Sequence, residues 1–205
     1  EFVKSIGLNK QFISIPIDAM YAINRKLIDA AANRYFFVKE PVEIKITKAP
    51  DIKEIEIPIH PDKKEMKKIK VGKIFIQKED FEKYKGQEIR LLHLFNVKLD
   101  KKENKAIFTS TENKNIQRIQ WVSDGVPVEV LMPDGKWEKG LAESSIRTLK
   151  NSEIIQFDRY GFVKLDKEIV KEQSLVSKLP QKNAKDKKQF GNKKEPKYQF
   201  WFAHK

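Results

Sequence analysis

With 205 residues, 40% of them hydrophobic, the chain is long enough to bury a substantial core in one domain or two. No apolar run approaches the roughly 18–20 residues of a membrane span, which excludes a spanning helix, and the first residues do not read as a signal peptide. The 35% of charged residues and the absence of cysteine suit a cytoplasmic protein, while the formal net charge of +13 calls for a polyanionic partner, most commonly RNA. Residues 178–205 carry +7 of that charge, as a backbone-binding segment or as a solvated lysine-rich loop.

The chain opens on Glu1-Phe2-Val3, without an initiator methionine, and reads as a trimmed start or a larger polypeptide cut inside a helix. Residues 2–6 look like a helix end stopped by Gly7. Asp18 is the expected N-cap of the next helix, in which Met20, Ile23, Leu27 and Ile28 form one apolar face and which ends near Asn33. From Tyr35 onward the period changes to two: Val42, Ile44 and Ile46 alternate with polar residues, as do Ile55, Ile57 and Ile59. Further β-rich runs are 68–77, 88–99, 106–110, 116–122, 126–132, 154–157, 162–165 and 199–203, with one helical turn over 80–84. Asp124-Gly125, Pro133-Asp134-Gly135 and Tyr160-Gly161 mark turns between them. Many short strands without crossover helices predict antiparallel barrels or sandwiches. The stretch 178–197 reads as a flexible excursion, and the aromatic run 198–202 as a final strand closing a barrel begun much earlier.

No catalytic constellation is legible. His60, His93 and His204 stand apart, no cysteine supports a zinc site, and neither a phosphate loop nor a nucleophile elbow occurs. Binding signals are stronger. Aromatic and basic residues interleave in Phe157-Asp158-Arg159-Tyr160-Gly161-Phe162 and in Arg118-Ile119-Gln120-Trp121, and Gln and Arg at a strand end offer donors and acceptors, a mixture suited to splayed RNA bases and equally to ordinary barrel wall. Lys63, Lys64, Lys67, Lys68, Lys70 and Lys73 form a cluster suited to phosphates, with Lys67, Lys68 and Lys70 as the named candidates.

Seven segments, in order, match one family: EFVKSIGLNK, YAINRKLIDAAANRYFFVKEPVEIKI, IPIHPDKKEM, GQEIRLLHLFNVKL, IQWVSDGVPVEVLMPDG, EIIQFDRYGFVKLD and FWFAHK. Together they resemble the C-terminal anticodon-binding region of archaeal-type glutamyl-tRNA synthetases of class Ic. The resemblance implies a mainly β fold of two antiparallel β-barrels, like those of glutaminyl-tRNA synthetase, preceded by a short helical connector. It implies a connector over 1–34, a proximal barrel from 35–67 and 141–205, and a distal barrel over 68–140. By similarity Gln156 and Arg159 match residues that contact the central anticodon base, with Arg90 and Lys98 as further candidates.

Two departures stand out. Met66-Lys67-Lys68 lies where the family often has Gly-x-Arg, and a lysine lacks the planar two-pronged contact of arginine. Ala30 lies where proline is common, which would let the helix run further. The implied partners are tRNA(Glu), tRNA(Gln) in a non-discriminating enzyme, and the catalytic domain or subunit of the same synthetase. ATP and Mg are expected in that catalytic part, whose motifs belong upstream of Glu1, so the chain alone should ligate nothing. The alternatives are the same region of a glutaminyl-tRNA synthetase and a stand-alone barrel binding structured RNA.

Overall fold

The computed structural model describes residues 16–168 and 198–204, together with Lys4 and Ser14. The expected helix end over 2–6, apart from Lys4, and the expected excursion over 178–197 lie outside the described residues.

Helix α1 (Ile17–Ile28) begins after Pro16, without a side-chain cap. Asp18 therefore sits inside the first turn rather than at the N-cap, where its charge still complements the helix dipole. The helix stops at Ile28, well short of Asn33, so the absence of proline at Ala30 does not lengthen it. None of its residues is buried, and its docking rests on contacts such as the Tyr21 ring stacked 5.5 Å from His204.

The strands follow in chain order. First come β1 (Arg34–Tyr35), β2 (Phe37–Lys39), β3 (Pro41–Thr47), β4 (Glu54–Pro58), β5 (Met66–Lys70) and β6 (Ile74–Gln77). Helix α2 (Lys78–Lys83) confirms the expected helical turn. Then come β7 (Glu88–Leu91), β8 (Asn96–Leu99), β9 (Lys105–Ser110), β10 (Arg118–Ile119) and β11 (Val122–Ser123). Last are β12 (Val126–Leu131), β13 (Trp137–Ala142), β14 (Ile154–Phe157), β15 (Gly161–Glu168) and β16 (Tyr198–His204).

They form a first sheet in the order β1-β14-β15-β16-β12-β13-β2, a second in the order β10-β7-β8-β9-β3-β6-β11, and the separate hairpin β4–β5. Most pairings are antiparallel, as expected, with parallel contacts at β1–β14, β7–β10, β3–β9 and β12–β16. The closing strand is where burial required it: β16 lies between β15 and β12 and sends Tyr198 and Phe200 into the core.

Both sheets close by the same device. The two edges of the first, β1 and β2, are halves of one segment interrupted at Phe36; the edges of the second, β10 and β11, are halves of one segment interrupted at Gln120-Trp121. Each sheet therefore curls until its edges meet in a single strand that changes partners at the break. Two cores result. Tyr35 and Phe37 enter the first with Val128, Phe157 and Phe200. Phe36 and Val38 enter the second with Ile44, Ile76, Leu91 and Trp121.

Strand membership divides the chain elsewhere than 35–67, 68–140 and 141–205. β3 belongs to the second sheet because Ile44 and its neighbours pair with β6 and β9. The β12–β13 hairpin belongs to the first, with Val126, Val128, Val130 and Ala142 in its core. Three of the β-rich runs are broken into two strands each. The run 68–77 splits at 71–73, where the Gly72 N–H donates to Ser123 Oγ at 2.7 Å. The run 88–99 folds into a hairpin through His93 at φ 62, and 116–122 breaks at the seam.

Strand β13 was not anticipated, because Trp-Glu-Lys-Gly-Leu-Ala offers little β signal and glycine weakens a strand. Gly140 is required there by close approach. A methyl group at this position would meet the Val38 carbonyl oxygen and the Phe37 ring, 2.6 Å away. Gly140→Ala is accordingly expected to cost about 1–3 kcal/mol, read as a lower denaturation midpoint.

Candidate nucleic-acid interface

A cavity of about 410 Å³ opens where the two sheets meet, and Arg159 stands at its edge. The turn between β14 and β15 places it there: Arg159 has φ 59, and Gly161, at φ 148, lies against the Phe202 ring and the His204 carbonyl. The guanidinium reaches across to α2, with Nη1 3.3 Å from Asp80 Oδ2 and Nη2 donating to Oδ1 at 3.4 Å. Asp80 is nearly buried while 48% of the Arg159 side chain remains exposed. The pairing fixes the plane of the guanidinium and leaves its outer edge open to a ligand.

Lys39, Glu138 and Tyr160 form the adjoining wall. Lys39 Nζ donates to Glu138 at 2.6 Å and the Tyr160 hydroxyl donates to it at 2.8 Å. Burial works against the Glu138 charge, yet these two donors outweigh it and hold the carboxyl below its usual range. Burial, and then Glu138, push the Tyr160 hydroxyl well above its ordinary value, so it stays a donor. Gln120 completes the wall from the second seam: it is 5% exposed, and its Nε2 has no hydrogen-bond partner among the described residues.

The other expected residues fare differently. Gln156 does not line this cavity; it lies beside Arg34 in the parallel β1–β14 register, with a buried Oε1 lacking a partner among the described residues. Arg90 is committed to its own barrel, donating to Asn96 Oδ1 at 2.9 Å and to the carbonyls of Thr111 and Glu112. Lys98 is exposed, directly across from Glu88. Lys68 and Lys70 are exposed on β5, Lys68 within 3.4 Å of Glu54 and 3.6 Å of Glu56.

Lys67, expected to hold phosphate, turns inward instead. It shares a strand face with buried Ile69, and only 9% of its side chain is exposed. Its Nζ donates at 2.6 Å to both Glu143 Oε1 and the Arg34 carbonyl, and it lies over the Tyr35 ring. Burial lowers its pKa against the pull of Glu143. Glu143 in turn takes the Phe36 N–H on Oε2 at 2.8 Å and the Ser145 hydroxyl on Oε1. Nearby, burial raises the Asp158 pKa despite Arg34 and Lys67, with Glu143 adding to the rise.

Sequence reasoning missed the partners that define these positions, Asp80 and Glu143, which lie 79 and 76 residues from Arg159 and Lys67. The alternation Lys67, Ile69 was the one local signal that Lys67 points inward. Among the described residues no group of three or more His, Cys, Asp or Glu could hold a metal ion, and no helix is long and apolar enough to cross a membrane.

Comparison with known proteins adds a family. A model described as tRNA synthetases class I (E and Q), anti-codon binding domain, matches residues 32–115, and a second of the same description matches 118–166. The chain is similar to the glutamate–tRNA ligases of Pyrococcus abyssi, 40% identical over 183 residues, and Pyrococcus furiosus, 41% identical over 183. Each match covers 82% of this chain and 32% of the relative. The glutamate–tRNA ligase of Archaeoglobus fulgidus is 34% identical over 171 residues, covering 80% of this chain and 30% of that enzyme. The chain thus spans about a third of the length of the curated relatives it matches.

Two stability effects follow from the buried charges. Lys67→Met leaves Glu143 unpaired in the interior and is expected to cost about 3–5 kcal/mol. Chemical denaturation measures that loss, while the salt slope of RNA binding by the folded fraction should not change. For Asp158, the folded chain holds a proton at pH values where the unfolded chain has released it. Its stabilising contribution is full below the ordinary value of 3.8 and is lost as pH rises through the raised folded value. Asp158→Asn is therefore expected to raise the denaturation midpoint at neutral pH, and the gain should vanish in acid below pH 3.8.

Proposed function

This chain belongs to the anticodon-binding domain family of the class I (E and Q) tRNA synthetases, and from that membership we propose that it grips the anticodon loop of tRNA(Glu) as part of a glutamate–tRNA ligase. The observation that carries the residue-level reading is Arg159, held by Asp80 at the mouth of a cavity between the two barrels. Unpaired loop bases can be splayed into such a cleft and recognised on their exposed edges. A guanidinium fixed by a carboxylate offers its free N–H groups to a base carbonyl or ring nitrogen without first losing side-chain freedom.

Gln156, with an acceptor left open beside Arg34, is the second base contact in this reading. Exposed Lys68, Lys70 and Lys98 supply charge for the phosphates, whereas Arg90 braces the second barrel and Lys67 fastens the β4–β5 hairpin to the seam. The relatives named as glutamate–tRNA ligases favour the glutamyl over the glutaminyl assignment. In the whole cytoplasmic enzyme, ATP-dependent attachment of glutamate, with ATP and Mg, belongs to a catalytic part that works with this region. Selectivity comes from this region through the position it imposes on the loop.

Arg159→Ala is expected to weaken binding of a tRNA(Glu) transcript by about 1–3 kcal/mol, with a smaller loss for transcripts substituted in the anticodon. Filter binding or fluorescence titration at fixed salt measures both. Equal losses on all transcripts would mean that Arg159 does not read a base.

A further inference from the structure

We infer that Gln120 is a further base-reading residue beside Arg159 and Gln156, its side-chain amide donating to a carbonyl oxygen of the nucleobase that Arg159 meets from the opposite barrel. This deepens the anticodon-loop reading and rests on it.

Gln120 occupies an unusual position. It is one of the two residues at which the second sheet's closing strand changes partners, between β10 on β7 and β11 on β6. Its neighbours Ile119 and Trp121 enter the second core, and Trp121 anchors the break by donating Nε1 to the Leu92 carbonyl at 3.0 Å. Gln120 faces the other way, into the wall of the cavity that Arg159 and Asp80 share. There it is 95% removed from water, by its 5% exposure, and its Nε2 has no partner among the described residues.

A buried amide donor without an acceptor lowers stability, and an apolar residue of the same length would fill the space without that cost. The group is accounted for if its acceptor arrives with the ligand. The groups around it restrict what that ligand presents. Glu138 is already occupied by Lys39 and Tyr160, and Asp80 by Arg159. Gln120 Nε2 and the outer edge of Arg159 are donors that face this cavity, which the Asp158 carboxyl also lines. A base edge that shows a carbonyl oxygen to Gln120 and a second acceptor to Arg159 fits two donors; uracil, guanine and cytosine carry such a carbonyl, whereas adenine offers ring nitrogens alone.

The test uses the full chain and tRNA(Glu) transcripts in which each anticodon position is replaced in turn by the other three bases. Gln120→Met keeps the length and removes the donor. The expected result is discrimination reduced roughly ten-fold at one anticodon position, with the other two unchanged. The melting temperature should stay level or rise, since an unsatisfied donor has gone; a merely structural glutamine would instead lower it. An unchanged discrimination profile overturns the inference while leaving the anticodon reading intact. If the unmutated chain itself ignores every anticodon substitution, both fail. Should Gln120→Met not fold, the unmutated chain is titrated with a transcript whose base at the preferred position lacks the carbonyl. A comparable loss of affinity supports the contact, and full affinity removes it.

Discussion

Phe36 and Trp121 meet with ring centroids 6.2 Å apart, and the architecture turns on that contact. Each ring belongs to the break at which one barrel's closing strand leaves its first neighbour and takes up its second. A strand edge carries a row of unpaired N–H and C=O groups, and joining the two edges through a single segment removes both. The break itself then has to be satisfied. At Phe36 this falls to Glu143, which accepts the Phe36 N–H on its carboxylate and donates its own N–H to the Phe36 carbonyl. A side chain and a main chain together replace the missing ladder partner. Lys67 neutralises that carboxylate and also binds the Arg34 carbonyl, so the β4–β5 hairpin is fastened to the seam.

The same geometry explains why two cores share one wall. Side chains alternate along a strand, so a segment between two barrels feeds both. Tyr35 and Phe37 go to one side and Phe36 and Val38 to the other. Gly140 lies against this segment because Val38 and Phe37 leave no room for a Cβ. The cavity at Arg159 is a consequence of the arrangement. Where two closed barrels touch along a seam, their curved surfaces diverge beyond the contact, and the turn after β14 reaches over the resulting gap to α2.

Much of this was legible in the chain. The switch from helical to alternating period at Tyr35 located the first strand, and the cost of leaving 198–202 in water required a returning strand. The locations of Gln156 and Arg159 on one short strand and its turn also followed from local pattern. What the sequence hid depends on distant partners. The lysine cluster over 63–73 looks uniform by composition, yet β-alternation sends Lys67 in with Ile69 while Lys68 and Lys70 stay out. Starting the expected strand at residue 68 lost that phase. Barrel membership was equally hidden, because β3 chooses β6 and β9, and β12 chooses β16, over sequence separations that no local pattern encodes.

A charge of +13 would attract RNA without selecting among sequences, and the proposed function assigns attraction and selectivity to different side chains. Lys68 and Lys70 stand in water, where their contribution falls with salt and is indifferent to sequence. In the proposed reading, Arg159 and Gln120 face a cleft between the sheets, where a wrong base would leave a donor unsatisfied and the penalty would be specific. Such a site discriminates only if its groups are held before the ligand arrives. Asp80 holds Arg159, and the packed strand break at Trp121 holds Gln120. The two barrels must therefore keep a fixed relation for the donors to converge on one base. In that reading the Phe36–Trp121 contact and the Lys67–Glu143 pair would act on selectivity through that relation without touching the RNA.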